Sequence, residues 1–254
     1  MAERGVQVID RAFDILEILC IEREGLGVTE IGNRLALHKS TVHRILSAMA
    51  ERGYIEKASE KGVYKIGLKL VEISSVYLNN VELKTEARPY LSELTSKMNQ
   101  PTHLATLNGN DVVYIDKVEV VNSIRLYSQI GLRVPVYCSA LGKSLLSGLS
   151  DAEVEEKIAK VQMLPYTKAT ITDKTEFLRQ VKQVRQRGWA LDDEEHEAGV
   201  RCIAAPVFDY RGKAIAAVSV SGPSGVISPE KDEEVASIVK ETALKISKRL
   251  GYKY

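Results

Sequence analysis

Five side chains that can donate hydrogen bonds lie within six consecutive residues of the sequence: Lys39, Ser40, Thr41, His43 and Arg44. Apolar residues fall between and after them at helical spacing: Val42, Ile45, Leu46 and Met49. This pattern predicts a helix with one buried face and one polar face that carries the donors. Donors near the start of such a helix suit contacts with DNA bases and phosphates.

A second short helix is predicted just upstream, with Ile31 and Leu35 on its apolar face and Thr29 as its N-cap. Only residues 36–38 separate the two helices, which leaves room for a tight turn whose angle Leu37 can fill. Residues 28–53 therefore have the pattern of a helix-turn-helix. A small helical hairpin with a solvated polar face would show the same pattern.

The residues after this helix favour DNA binding. Two short runs of β-forming residues, 54–57 and 63–66, flank a turn-prone segment, which is the layout of a winged helix. Lys57, Lys61 and Lys65 would line this wing as phosphate contacts. Residues 34–65 carry a net positive charge and residues 1–33 a net negative charge, so the positive charge is concentrated where DNA would lie.

Three other motifs could indicate catalysis or metal binding, and each lacks a required residue. Gly142-Lys143-Ser144 resembles the end of a phosphate-binding loop, but that loop needs glycine where Tyr137 stands, so Lys143 is expected on the surface. The acidic run at 192–197 has no H-x-x-x-H pair, which favours a solvated loop over a metal site. No G-x-S-x-G motif marks a nucleophile, so the sequence predicts no catalytic residue, metal or cofactor.

Small polar residues interrupt two otherwise apolar strands predicted near the C-terminus. Cys202 begins one strand, and Ser219 and Ser221 lie on one face of the next because they are two residues apart. Such groups either satisfy neighbouring backbone groups or face a ligand cavity. The residues alone favour the first interpretation and leave the second open.

The chain length of 254 residues predicts about two domains. No apolar run is long enough for a membrane span, and the N-terminus lacks a signal-peptide pattern, which makes the cytoplasm the default location. Cys20, Cys138 and Cys202 have no C-x-x-C spacing, which argues against a disulfide framework or a zinc knuckle.

Helices and strands alternate in the C-terminal part of the chain, which predicts an α+β domain with a mostly antiparallel sheet. A helix is expected from Pro89 to about Met98 and another after residue 139, with a loop at 131–135. Capping residues predict helices after Ser150, Asp173 and Ser228. Strands are predicted at 102–107, 112–118, 124–128, 201–208 and 214–221.

Residues 68–86 form a predicted linker helix. Leu70, Ile73, Tyr77 and Val81 recur every three to four residues, so the helix has an apolar stripe that must be buried. The stripe could pair with a second copy of the chain or pack on its own C-terminal domain. The predicted organisation is a DNA-binding domain at 1–67, the linker at 68–86 and a second domain at 87–254.

Three sets of motifs, in order and at the expected separations, identify a family: H-K-S-T-V-H-R-I-L with the following G-Y-I, S-A-L-G-K, and D-D-E-E-H-E-A-G-V-R-C-I-A-A-P-V-F-D followed by S-V-S-G-P. Through them the chain resembles the IclR family of transcriptional regulators over nearly its whole length. The resemblance implies a winged helix-turn-helix, a dimerising linker helix and a C-terminal GAF-like α+β domain that binds a small carboxylic acid. One departure is His38, where relatives often carry serine or proline.

By position, the resemblance places the effector pocket on nine residues: Leu126, Val134, Ala140, Leu141, Asp192, Val200, Cys202, Ser219 and Ser221. The helix start at 140–143 also suits a carboxylate, because free amides and the helix dipole favour an anion. The motif V-Y-I-D-K-V-E and the stretch I-R-L-Y-S-Q-I-G-L-R-V-P-V-Y most resemble the subgroup that responds to sugar acids such as 2-keto-3-deoxygluconate.

The resemblance further implies a homodimer, or a dimer of dimers, that binds a palindromic double-stranded DNA operator and is not an enzyme. The expected role is repression of a catabolic operon. Effector binding would change the spacing of the two recognition helices. The competing hypothesis is a sugar-acid-processing enzyme that retains a vestigial helix-turn-helix.

Overall fold

The computed structural model describes residues 7–22, 24–58, 62–79, 82–120 and 128–253, without the side chains of residues 75–79 and 82. The chain divides into two compact units, Met1–Asn80 and Val81–Tyr254, and each has its own hydrophobic core. In the described ranges, no helix is both long and apolar enough to cross a membrane.

The N-terminal unit is a winged helix-turn-helix. Its elements are α1 (Gln7–Ile21), α2 (Val28–Arg34), α3 (Lys39–Glu51), β1 (Ile55–Ala58) and β2 (Val63–Ile66). The two strands pair antiparallel with Ile55 opposite Ile66, and a backbone bridge joins Leu26 to Tyr64. All four apolar residues predicted for the inner face of α3 are buried, which confirms its amphipathic character.

The start of α2 differs from the prediction. Gly27, not Thr29, is the N-cap residue, and its amide donates a hydrogen bond to the Glu30 carboxylate at 2.8 Å. The turn after α2 passes close to the helix, since a Cβ at Gly32 would lie 2.9 Å from the Leu37 carbonyl oxygen. Leu37 itself packs against the core, as predicted.

Helix α4 (Leu68–Asn79) follows the wing. Three of its apolar residues are largely exposed: Leu68 at 69%, Val71 at 57% and Ile73 at 46%. Tyr77 and Val81 of the predicted stripe lie outside the described side chains. Leu68 and Val71 lie on one side of the helix, because they are three residues apart, and Ile73 lies on another side.

The C-terminal unit has one six-stranded antiparallel sheet with helices packed on it, which confirms the α+β prediction. Its helices are α5 (Glu82–Met98), α6 (Ala140–Ser147), α7 (Asp151–Ala159), α8 (Lys174–Arg187) and α9 (Asp232–Arg249). Its strands are β3 (Thr102–Asn108), β4 (Asp111–Val118), β5 (Arg133–Pro135), β6 (Ala190–Asp193), β7 (Val200–Phe208) and β8 (Ala214–Pro223). Their order is β5-β4-β3-β8-β7-β6.

Helices cover the two faces of this sheet. On one face, α5 and α9 pack through a core that includes Leu91 and Leu104. On the other face, α6 and α8 pack through a core that includes Leu146, Phe177 and Ala217. Because side chains alternate along a strand, neighbouring residues such as Leu104 and Ala105 belong to different cores.

Several local predictions are confirmed in this unit. Ser150 caps α7 in a capping box with Glu153, and the Asp173 side chain caps α8. Helix α8 ends at Gly188, whose φ of 81° is a left-handed conformation that favours glycine.

Three predicted boundaries were wrong or fall outside the description. Pro89 lies inside α5 rather than at its start. The helix continues across the proline because one apolar stripe on it packs on the sheet: Leu83, Ala87, Leu91 and Leu94. The predicted loop contains strand β5, and the strand predicted at 124–128 lies outside the described residues except for Ser128.

Strand β6 covers only part of its neighbour β7. It pairs with residues 201–204, and residues 205–208 of β7 have no further strand beside them in the described chain. Pro206 lies in this open part and has no amide hydrogen. The amide of Phe208 donates a hydrogen bond to Ser247 Oγ of α9 at 2.9 Å.

Candidate functional site

The outer face of α3 carries the predicted DNA contacts. They are exposed or, for Thr41, half-buried: Lys39, Ser40, Thr41, His43 and Arg44. His38 precedes the helix as its N-cap and makes no side-chain capping bond. The first amides of α3 therefore have no side-chain acceptor and suit a phosphate oxygen.

The lysines of the wing lie on both of its faces. Lys57 is opposite Tyr64 and Lys65 is opposite Glu56, and these adjacent pairs point to opposite sides of the hairpin. Lys61, the third predicted wing contact, lies outside the described residues. The wing thus presents its described positive charges on two sides.

A cavity of about 50 Å³ lies in the C-terminal unit, where strands β3, β4, β7 and β8 meet the start of α6. Eight of the nine residues predicted for the effector pocket line the cavity: Val134, Ala140, Leu141, Asp192, Val200, Cys202, Ser219 and Ser221. The ninth, Leu126, lies outside the described residues.

The start of α6 forms one wall of this cavity. The Ser139 hydroxyl caps the helix and accepts a hydrogen bond from the Gly142 amide at 3.1 Å. A Cβ at Gly142 would lie 2.1 Å from the Val136 carbonyl oxygen, so only glycine allows this packing. The preceding amides, of Ala140 and Leu141, have no acceptor within the helix. With the helix dipole, they make this wall suitable for a carboxylate.

Lys143 is fully buried, and the prediction that it lies on the surface was wrong. Its ammonium donates hydrogen bonds to Gln180 Oε1 and the Leu191 carbonyl oxygen, both at 2.8 Å, and to the Glu195 carboxylate. All three ammonium hydrogens therefore have an acceptor. The compensating carboxylate comes from 52 residues further along the chain.

Two members of the acidic run are also buried, which corrects the prediction of a solvated loop. Asp192 and Glu195 each expose only 4% of their surface. Threonine hydroxyls fix the backbone here, because Thr167 Oγ1 donates to the Glu194 carbonyl at 2.7 Å and Thr170 Oγ1 donates to the Glu195 carbonyl at 2.6 Å. Among the residues that the structure describes, no cluster of His, Cys, Asp and Glu could hold a metal ion.

Asp192 places a carboxyl group in the cavity wall. The amide of Glu195 donates a hydrogen bond to its Oδ1 at 2.8 Å. Burial raises the pKa of Asp192 to about 7, and the Glu195 charge adds to the shift while Lys143 opposes it. Asp192 can therefore change its charge near neutral pH.

Family models match both units of the chain. Residues 8–59 match the IclR helix-turn-helix domain, and residues 75–248 match the bacterial transcriptional regulator IclR C-terminal domain. The chain belongs to the IclR family.

Relatives within the IclR family cover nearly the whole chain. The HTH-type transcriptional regulator KdgR of Escherichia coli is 38% identical over 248 residues, which is 98% of this chain and 94% of KdgR. The crystal structure of Thermotoga maritima IclR superposes with a TM-score of 0.83 at 33% identity, over 98% of this chain and 100% of that one. The present chain, as a member of the IclR family, is therefore a DNA-binding transcriptional regulator and not an enzyme.

A third IclR relative was solved with a small molecule. It is an IclR homolog from Microbacterium hydrocarbonoxydans complexed with 4-hydroxybenzoate, with a TM-score of 0.83 at 26% identity, over 96% of this chain and 98% of that one. The match extends to the C-terminal unit, which is the effector domain of the IclR fold.

His103 of the present chain also lines the cavity, and the sequence analysis did not include it among the effector-pocket residues. Its Nδ1 lies 3.4 Å from Ser219 Oγ and 3.5 Å from Ser221 Oγ, and its Nε2 lies 2.9 Å from Ser128 Oγ. Burial, followed by the charge of Lys117, lowers the pKa of His103 to about 3, so the ring is neutral. A neutral imidazole has one donor and one acceptor nitrogen, which lets it orient hydroxyls on both sides. Side chains alternate between the two faces of the sheet along β3, and this alternation was the only pattern in the sequence that could have placed His103 on the cavity face.

Proposed function

We propose that this IclR regulator represses a catabolic operon and releases its operator when a small carboxylic acid binds in the C-terminal unit. The convergence of the helix start at Ala140 with Ser219, Ser221 and Asp192 on one cavity is the observation that carries the proposal. A carboxylate would accept hydrogen bonds at the helix start. Keto or hydroxyl oxygens of the same acid would meet the serine hydroxyls.

The proposed effector class is a keto or sugar acid, for example 2-keto-3-deoxygluconate. The 38% identity to KdgR supports this subgroup assignment. The relative solved with 4-hydroxybenzoate supports a carboxylic acid more broadly. The polar lining from His103, Ser128 and the two serines suits a ligand with several oxygen atoms.

The proposed operator is a palindromic duplex bound by a homodimer, or by a dimer of dimers, in the cytoplasm. A two-fold dimer places two α3 helices about one DNA turn apart. The exposed apolar residues of α4 support pairing of this helix with a second copy. Lys39, Ser40, Thr41, His43 and Arg44 would contact bases and phosphates, with wing lysines on the flanking backbone.

Effector and operator would be coupled through two arrangements of the dimer. A ligand shifts such an equilibrium only through its different affinities for the two states. The typical coupling is about 1–3 kcal/mol, or a change of roughly 5- to 150-fold in operator affinity.

A gel-shift titration on the promoter nearest the gene tests the proposal. The full chain is titrated with and without a panel of keto and sugar acids, together with 4-hydroxybenzoate. Release of a sequence-specific complex by one acid supports the proposal. Strengthening of the complex would instead make the acid a co-repressor or the protein an acid-dependent activator. If DNA binds and no acid matters, the effector assignment is wrong. If no complex forms at low salt, the operator-binding assignment of α3 is wrong.

A further inference from the structure

A bound acid would share the cavity with acidic side chains. Asp192 and Glu197 both line it, and its described lining contains no lysine or arginine. The buried ammonium of Lys143 has its three acceptors elsewhere, at Gln180, Leu191 and Glu195. An ionised Asp192 beside a bound carboxylate would be a like-charge pair with little to offset it.

Three further titratable groups face Asp192 from neighbouring elements. Cys202 of β7 is its cross-strand partner, Cys138 comes from the turn before α6, and Tyr114 comes from β4. Burial, with the Asp192 charge as an additional cause, raises the pKa of Cys138 to about 12 and raises the pKa values of Cys202 and Tyr114 well above neutrality. These three groups are therefore neutral when Asp192 titrates.

The remaining groups lie on the acidic loop and on β3. Burial raises the pKa of Glu195, and Lys143 opposes this rise as its ion-pair partner. Burial lowers the pKa values of His196 and His103, which keeps both rings neutral near pH 7. Among these groups, Asp192 is therefore the one that can take up a proton at a pH near 7.

We propose, on the basis of the function proposed above, that Asp192 is protonated in the effector complex and donates a hydrogen bond to an oxygen of the bound acid. The backbone amides of Glu195, on Oδ1, and of His196 hydrogen-bond the Asp192 carboxyl group, and the added proton points from that group to the bound acid. The carboxylate of the acid lies at the amides of Ala140 and Leu141. At a pH where Asp192 of the free protein is ionised, each acid anion therefore binds together with one proton from the solvent. Another oxygen of the acid accepts the hydrogen bond from Asp192.

The expected signature is a pH-dependent dissociation constant. Below about pH 7, Asp192 of the free protein already holds the proton and the Kd changes little. Above it, the Kd rises about tenfold per pH unit, because each binding event must take a proton from an increasingly dilute supply. In Asp192→Asn the amide oxygen accepts from Glu195 and the amide nitrogen donates to the ligand, so the Kd should not depend on pH.

Isothermal titration calorimetry of the full chain measures both quantities. Pyruvate and 2-keto-3-deoxygluconate are titrated from pH 5.5 to 8.5 in two buffers of different ionisation enthalpy, which counts the protons taken up. His196→Gln and Glu197→Gln are matched controls, because each removes another titratable group from the cavity lining. Both should retain the pH dependence of the wild type.

Uptake of about one proton per acid at pH 8 by the wild type, with none by Asp192→Asn, supports the proposal. Binding without proton uptake overturns it and leaves the effector function intact. Proton uptake that persists in Asp192→Asn also overturns it, and loss of uptake in a control variant assigns the proton to that group. The wild-type proton count decides even if the asparagine variant fails to fold. If neither acid binds at any pH, the proposed effector class fails together with the inference.

Discussion

Replacing Lys143 with methionine should strongly destabilise the C-terminal unit, although methionine can fill much of the space of the lysine stem. The variant leaves the Glu195 carboxylate buried without its ammonium partner and removes a donor from the Leu191 carbonyl. Breaking a buried ion pair by removing one partner typically costs about 3–5 kcal/mol. The pair here exposes only 1% and 5% of its side chains, so the cost should lie in this range.

The loss should depend on pH in a defined direction. Burial already raises the pKa of Glu195, and without Lys143 it rises further. A carboxyl group with a raised folded-state pKa stabilises the fold when protonated, and that stability is lost as the pH rises from the unfolded pKa through the folded one. The destabilisation of Lys143→Met should therefore be full at about pH 8 and smaller at about pH 5.

Urea unfolding followed by tryptophan fluorescence measures this prediction. Trp189 is the single tryptophan and is buried in the C-terminal unit, so its emission reports on that unit. Lys143→Met/Glu195→Gln should recover most of the loss, because it removes both charges of the buried pair. Lys160→Met breaks an exposed pair with Glu156 and should leave the unfolding midpoint unchanged. A change below about 1 kcal/mol in Lys143→Met, or a double variant no better than the single one, would refute the reasoning.

Three further predictions concern the two binding sites. Arg44→Ala should weaken operator binding by about 1–3 kcal/mol in a gel shift and leave acid binding intact; unchanged operator affinity would remove Arg44 from the recognition surface. Ser219→Leu should fill the cavity and abolish the response to acids while DNA binding is retained, and continued release of DNA by the acid would place the effector elsewhere. Burial raises the pKa of Asp192 from its ordinary value to about 7, so its contribution to stability is lost as the pH rises from about 4 to 7. The free energy of unfolding of Asp192→Asn, measured in urea, should therefore rise by several kcal/mol relative to the wild type between these two pH values. If the two proteins show the same dependence of unfolding free energy on pH, the burial argument is wrong.

The features that the sequence predicted well are those with local causes. Ser150 with Glu153, and Asp173 with Gly188, mark helix ends through contacts a few residues apart. The inner face of α3 follows from helical periodicity alone. Eight cavity residues came instead from a family resemblance, since strands β7 and β8 alone left the role of Ser219 open.

The predictions that were wrong or incomplete concern residues whose partners lie far away in the sequence. Lys143 stands next to glycine at the start of a helix, a pattern that is typical of an exposed lysine. It is buried here because the folded sheet brings the Glu195 carboxylate to its ammonium group. His103 gains its role only when β8 places two serines beside it. Proline favours the first turn of a helix, so Pro89 predicted a helix start, but the packing of α5 on the sheet keeps Pro89 inside the helix. Local patterns do not contain these partners.

The open part of the β7 edge also bears on how the protein behaves at high concentration. An uncovered strand edge is a template onto which strands of other molecules can add, and this growth leads to aggregation. On β7 the template is incomplete, because Pro206 offers no donor and the Phe208 amide is already bonded to Ser247. An incoming strand would find no free donor at either position. The short β6 strand can therefore end early without turning the sheet into a seed for fibrous assembly.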